Sequence, residues 1–302
     1  MYNKVPTSIE EQIIQLKKRG LIIEDEHLAI HYLSNISYYR LAGYWWPMQN
    51  DKTAHTFKEN SRFSDVIALY NFDRELRILC FDVIERIEIA LRTKLIYHLS
   101  HEFDFWWFQK PELFADTREL IKTLANIEEE LERSKDIFIK EHLKKHKDDL
   151  RFPPAIKTLE ITSFGSLSKL YGNLKPGVRS KDTIAKEFNT VNHTYLPSWL
   201  QSIAQIRNIC AHHGRLWNKN LPGRPSLLSK PPALWLKNVP PVSDHHMFYI
   251  HASCMKYLLD VVNPGHHFTD KLEVLFRKYP NVDLKALGFN KDWLTEPFWL
   301  QS

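Results

Sequence analysis

Apolar side chains recur at threes and fours along most of this chain, and the elements they predict are helices. The clearest run goes from Ser64 to about Ser100. There Val66, Ile67, Leu69, Tyr70, Phe72, Leu76, Leu79, Cys80, Val83, Ile84, Ile87, Leu91 and Leu95 keep that spacing with no Gly or Pro between them. The pattern predicts one long helix, or two nearly collinear ones, as the spine of a bundle. Charged residues interleave with the stripe, among them Asp73, Arg77, Asp82, Glu85, Glu88 and Arg92, and read as a solvated face with ion pairs. Glu88 and Arg92 stand four apart in the favourable acid-first order. A functional reading of Arg92 sets it in the same cleft as the motif described below.

Upstream, Ser8-Ile9-Glu10-Glu11 fits a capping box opening a helix toward Gly20, and a second short helix is expected over Glu26 to Asn35. The aromatic stretch Ile36 to Pro47 reads first as a packing wedge, and alternatively as a stacking surface for bases helped by Arg40. Leu113 to about Lys147 is helical and rich in charge, and Ala155 to Thr162 is helical again. Ser166 is a candidate cap, and Lys175-Pro176-Gly177 a turn. Pro197 and Ser198 open a helix whose apolar stripe is Trp199, Leu200, Ile203, Ile206 and Cys210, with Gly214 placed to end it. The Pro-rich segment Leu221 to Pro241 is expected to be an ordered loop, and Asp244 to Val262 a helix. No strand-like alternation persists, so the fold class is all-α.

Composition agrees. Nine glycines in 302 residues are about half the usual ~7%, which disfavours turn-rich β architectures. Nine Trp and 17 Phe point to an aromatic core. A net charge of +5 permits a polyanionic partner without requiring one. Cys80, Cys210 and Cys254 are odd in number and unpaired in spacing, which suits buried, reduced thiols in the cytoplasm. The N-terminus is polar rather than signal-like, and no apolar run reaches the ~18 residues of a membrane span. A cytoplasmic protein with no membrane association is expected.

The chemistry concentrates in Ile206-Arg207-Asn208-Ile209-Cys210-Ala211-His212-His213-Gly214-Arg215-Leu216-Trp217-Asn218. Such a density of polar heads is poor core material, because each would need its own buried partner. In a helix Asn208 and His212 share a face, and Arg207 has the reach to bring its guanidinium to the helix end. RNA cleavage needs such parts: a base for the 2′-hydroxyl, an acid for the leaving 5′-oxygen, and a cation for the phosphorane. The Arg-to-His spacing alone is weak, since about two such pairs arise by chance in a chain of this composition. Arg92 and His98 form one, and His98 reads there as a structural or surface residue. His142 and His146 have a zinc-like spacing but no acidic or Cys companion, so no metal site is expected. Gly-rich phosphate loops, HExxH and GxSxG are absent.

With these residues in view, the chain resembles the AbiD/AbiF-like abortive-infection proteins of bacteria, with their HEPN-type ribonuclease domain. Ile206 to Asn218 looks like that family's signature. Tyr38-Tyr39-Arg40-Leu41-Ala42-Gly43-Tyr44, Leu69 to Arg77 through Ile87 to Arg92, Phe164 to Tyr171, and Trp199-Leu200 resemble its other blocks. The resemblance implies a helical bundle of HEPN type spanning 61–220, with a helical N-terminal region over 1–60 and a C-terminal elaboration over 221–302. It implies a homodimer whose two motifs form a composite site, RNA as substrate, and a metal-independent, cofactor-free endoribonuclease used in phage defence or as a toxin. It leaves room for an antitoxin, RNA or protein. Carried over, Arg207 and His212 are the family's Arg and His, and Asn208 is its polar companion. His213 falls within the permitted spacing and either shares the role or flanks it, while Arg215, Asn218 and Arg92 are candidate RNA contacts. The competing classes are a non-catalytic RNA-binding or sensing module, and a regulatory module that recognises a phage component through protein contacts.

Overall fold

The computed structural model describes residues 5–300, which are predominantly helical. In chain order the helices are α1 (Ile9–Lys18), α2 (Glu26–Ile36), α3 (Tyr38–Trp45), α4 (Phe63–Glu102), α5 (Thr117–Arg133), α6 (Ile137–Lys145) and α7 (Ala155–Ile161). They continue with α8 (Phe164–Asn173), α9 (Arg179–Glu187), α10 (Leu196–Ala211), α11 (Phe248–Val262), α12 (Phe268–Lys278) and α13 (Pro297–Leu300). The all-α class therefore holds. The pattern had not indicated a small antiparallel ribbon, β1 (Gln49–Asp51) with β2 (Thr56–Phe57).

The chain forms two compact units. One holds the chain up to Arg77 together with Leu272–Asp283, and the other holds Ile78–Lys271 and the residues from Leu284 onward. The expected spine is one unbroken helix, α4.

In the first unit, the capping box opens α1 as expected. The Ser8 hydroxyl accepts from the Glu11 N–H at 3.2 Å, and the Glu11 carboxylate accepts from the Ser8 N–H at 2.7 Å. The aromatic stretch is mainly packing: Leu41, Tyr44 and Trp45 are buried, although Tyr39 is 91% exposed. The charges on the early part of α4 are not all solvated. Asp73 and Arg77 are buried, and they pair with each other. The Tyr44 hydroxyl donates to Asp73 at 2.8 Å and accepts from Arg77 at 3.3 Å. Burial first, then the Asp73 charge, push the Tyr44 phenol up, so it stays a neutral donor.

In the second unit α8 packs against α5 and α10, and α10 also packs against α11. Phe164, Leu167 and Tyr171 on α8 and Trp199, Leu200 and Ile203 on α10 are buried in this core. Ser163, rather than Ser166, caps α8, and Ser166 supplies the backbone N–H that Ser163 accepts. The expected helix from Leu113 to Lys147 is split into α5 and α6. Ser134 and Asp136 form a local turn there, with the Ser134 hydroxyl donating to Asp136 at 3.0 Å and accepting its N–H at 3.2 Å.

The Pro-rich segment is non-helical and firmly tied. Trp199 stacks on Trp235 at 5.2 Å and donates to the Ser226 carbonyl at 2.6 Å. Buried Glu296 accepts the Lys237 and Asn238 N–H groups at 2.7 and 3.0 Å. Cys80, Cys210 and Cys254 are buried thiols outside any disulfide. Among the described residues no helix is long and apolar enough to cross a membrane.

Candidate functional site

The sequence of α10 sorts its residues before any chemistry is considered. Pro197 lies in the first turn, where its missing N–H costs nothing. Trp199, Leu200, Ile203, Ile206 and Cys210 then recur on one face and are buried. Arg207 falls at the edge of that face and is half-buried, whereas Asn208 and His212 fall outside it and are exposed. The expected sharing of a face by Asn208 and His212 holds, because the His212 N–H donates to the Asn208 carbonyl at 3.0 Å across one helical turn.

The helix end differs from expectation in a specific way. His212 is the last residue near helical geometry, and His213 takes the left-handed conformation at φ 55°. The His213 N–H donates to the Cys210 carbonyl at 3.0 Å, and the Gly214 N–H donates to the Ile209 carbonyl at 2.7 Å. These two bonds make a Schellman motif in which histidine, not glycine, occupies the strained position. Gly214 serves by lacking a side chain: a Cβ there would lie 3.1 Å from both Ile209 Cγ2 and the Ile209 carbonyl oxygen. Leu216 and Trp217 follow as buried anchors, and Arg215 donates to the Asn218 carbonyl at 3.3 Å. Asn218 itself is exposed and left-handed at φ 48°.

Beside α10 lies a cavity of about 600 Å³ into which Arg207 extends from one side. The other wall is α4, where Ile78, Asp82, Glu85, Ile89 and Arg92 recur at threes and fours with Phe81, Ile84 and Glu88 beside them. Ile78 and Ile89 are 53% and 51% exposed, so the stripe is open to solvent as well. In the sequence alone Asp82 and Glu85 look like part of an ordinary solvated face. The signal that could have found them is this same spacing, with isoleucines at both ends of a face whose opposite side already carries the core stripe.

Arg92 does share a cleft with Arg207, but its guanidinium is already engaged. It donates to the Leu159 and Thr162 carbonyls at 2.7 and 3.0 Å and pairs with Glu88 at 2.9 Å. Asp82 is matched by Lys271 at 2.9 Å and by Arg86, and the hydrogen bond from Lys271 is the main reason its carboxyl lies below the usual range. What is left in the cavity is Glu85 and Arg207, neither of which has an ion pair among the described residues. The Arg207 guanidinium, the Asn208 amide and the His212 imidazole likewise make no side-chain hydrogen bond among the described residues. Three polar heads thus stand unused at one helix end. That end carries the negative pole of the α10 dipole, which disfavours an anion unless cations such as Arg207 and Arg215 offset it.

His98 pairs with Glu187 at 2.9 Å. The rings of His142 and His146 lie 4.6 Å apart, and among the described residues no group of His, Cys, Asp or Glu is arranged to hold a metal ion.

A helical bundle with a cation, an amide and an imidazole at the end of a core helix narrows the class considerably. The family model for Abi-like protein matches residues 31–218, from within α2, ahead of the aromatic stretch, to Asn218 at the close of the motif. The chain belongs to this abortive-infection family. No curated protein and no solved structure gives a significant match.

Proposed function

We propose that this protein is a metal-independent endoribonuclease of HEPN type, acting in phage defence or as a toxin. The observation that carries the reading is the set of unpartnered polar heads at the end of α10: Arg207, which lines the cavity with Arg92, and the exposed Asn208 and His212 on the same helix end. A purely structural helix end does not explain why those three groups make no bonds while nearly every neighbouring charge does.

In the proposed reaction the His212 imidazole takes the proton of a ribose 2′-hydroxyl, and the 2′-oxygen attacks the adjacent phosphorus. The P–O5′ bond breaks, and the 5′-oxygen takes a proton from a second imidazole. The products are a 2′,3′-cyclic phosphate and a 5′-hydroxyl. Arg207 offsets the charge on the crowded phosphorane, and Asn208 orients the phosphate as a hydrogen-bond donor. RNA supplies its own nucleophile, so no metal-bound water is required. One chain offers one exposed His212 and a cavity whose unpaired charges, Glu85 and Arg207, cancel. A second copy would supply the second imidazole and the missing positive charge, and we read the active unit as a homodimer.

The test is end analysis of RNA cut in excess chelator. Undiminished cutting that leaves cyclic phosphate and 5′-hydroxyl ends is expected. Cutting that stops in chelator, or that leaves 5′-phosphates, would contradict the mechanism. Tight RNA binding with no cutting by the dimer would favour the non-catalytic RNA-sensing module instead.

A further inference from the structure

Away from the motif, one surface of the second unit collects cations that the fold does not use. Helix α6 is anchored by Ile139, which is 1% exposed, and by half-buried His142, while the rest of it faces solvent. Lys140, Lys144, Lys145 and Lys147 are exposed and have no ion pair among the described residues. Lys157, from the first turn of α7, is half-buried, also has no ion pair among the described residues, and lies close to His142. His142 is held below the usual imidazole range by burial first and next by the charge of Lys157, with Lys145 acting in the same direction and Asp149 opposing. Of the nearby acids, Asp149 is taken up by Arg151 at 2.8 Å, leaving Glu141, Asp148 and Glu160 of α7 against five lysines.

Planar groups are interleaved with these cations. The His142 and His146 rings lie 4.6 Å apart, the Arg151 guanidinium sits 3.8 Å above the Trp106 ring, and Phe105 is 44% exposed. Alternating charge and π-faces match a strand whose phosphates and bases alternate, and single strands are bound in this way with little sequence preference. We propose that α6, the 146–152 loop and Lys157 form a docking surface for single-stranded RNA, separate from the Arg207–His212 motif. The choice of RNA as ligand rests on the ribonuclease reading.

A bilayer is the less suitable occupant. On α6 the exposed Phe138 and Leu143 flank the buried Ile139 on either side, and on the outward face between them the exposed Ile137 stands alone among Lys140, Glu141, Lys144 and Lys145. An interfacial helix needs its apolar residues gathered on one free face.

The test measures binding of a labelled oligouridine by fluorescence anisotropy, in a His212→Ala background so that cutting does not interfere. Lys144→Glu/Lys145→Glu is expected to weaken binding at least about ten-fold and to lower the log–log salt slope by about 1.4, the value for two single-strand phosphate contacts. Lys18→Glu/Lys175→Glu, which moves the same charge elsewhere, is expected to change affinity less than about two-fold. Equal losses in both variants, no loss in the α6 variant, or uptake of the protein by phosphatidylglycerol vesicles without RNA binding would overturn the proposal. Cutting is scored separately in the His212-containing protein. Binding through α6 without any cutting would leave this surface standing and remove the nuclease reading, and cutting with α6-independent binding would do the reverse.

Discussion

Arg92 and Arg207 enter one cavity from two different helices, yet only Arg92 is spoken for. Arg92 holds two backbone carbonyls and Glu88, whereas Arg207 has no hydrogen bond or ion pair among the described residues. The two arginines therefore have different work, and substitution should separate them. Arg92→Ala removes the guanidinium donor from the Thr162 carbonyl, takes one of two donors from the Leu159 carbonyl and leaves Glu88 without its ion pair, and should cost about 2–3 kcal/mol of stability. Arg207→Ala should cost less than about 0.5 kcal/mol while removing activity. Urea denaturation of the two variants, read beside RNA cutting, checks the distinction.

The end of α10 gives a second prediction. His213 sits at φ 55°, a conformation that costs an L-residue about 1–2 kcal/mol relative to Gly. His213→Gly should be neutral or stabilising by up to about 1 kcal/mol, since the relief is partly offset by the freer unfolded chain. His213→Val should be destabilising by about 1–2 kcal/mol, because a β-branched residue is a marked outlier there. Cutting by the Gly variant settles which of the adjacent histidines matters. With His212 as the acting imidazole, His213→Gly keeps its rate.

Much of this arrangement was legible in the sequence, and the exceptions have physical causes. α4 could be read because its apolar stripe is unbroken over the whole helix, and α10 because Pro197 and the Trp199–Cys210 stripe bracket it. Asp73 and Arg77 could not, because a charge at helical spacing looks the same whether it meets water or a buried tyrosine 29 positions earlier. Gly214 was expected to take the left-handed position, since glycine does so without strain. Backbone strain at His213 is a property of the assembled turn and leaves no compositional trace. The gap between α5 and α6 contains neither Gly nor Pro, and only the Ser134–Asp136 turn interrupts the helix. As for the site, the motif residues were legible as a group, but the acidic wall of Asp82 and Glu85 depends on which face of α4 stays open.

Buried ionic groups in the first unit predict a third outcome. Removing one partner of the Asp73–Arg77 pair strands a charge inside the protein, and Asp73→Ala should cost about 3–5 kcal/mol. Tyr44→Phe removes a single hydrogen bond to that charge and should cost about 1.5–3 kcal/mol. Thermal melts of both variants test the ranking, which a solvent-exposed pair would not produce.

A fourth prediction concerns pH. His251 is fully buried, its Nδ1 meets the Ser202 hydroxyl at 2.5 Å, and its Nε2 has no hydrogen-bond partner among the described residues. Burial lowers its pKa to about 4, with the nearby backbone of His245 opposing the shift and His246 adding to it. An unfolded histidine titrates near 6.5, so between those values the unfolded chain binds the extra proton and acid favours unfolding. Stability should be fully present above about pH 6.5 and fall by up to about 3 kcal/mol as pH drops toward 4. His251→Phe should flatten that part of the profile, whatever it does to absolute stability.

The central claim is that the Arg207–His212 end of α10 is a cutting site and not merely a helix terminus. It is tested by the rate at which His212→Ala cleaves a labelled RNA, compared with the unmodified protein at equal protein concentration. His212 is exposed and its ring holds nothing among the described residues, so the melting temperature should be unchanged. A rate loss of about 10²–10⁴-fold is expected, the usual contribution of general acid–base catalysis. A correctly folded His212→Ala protein that cleaves at the original rate would contradict it.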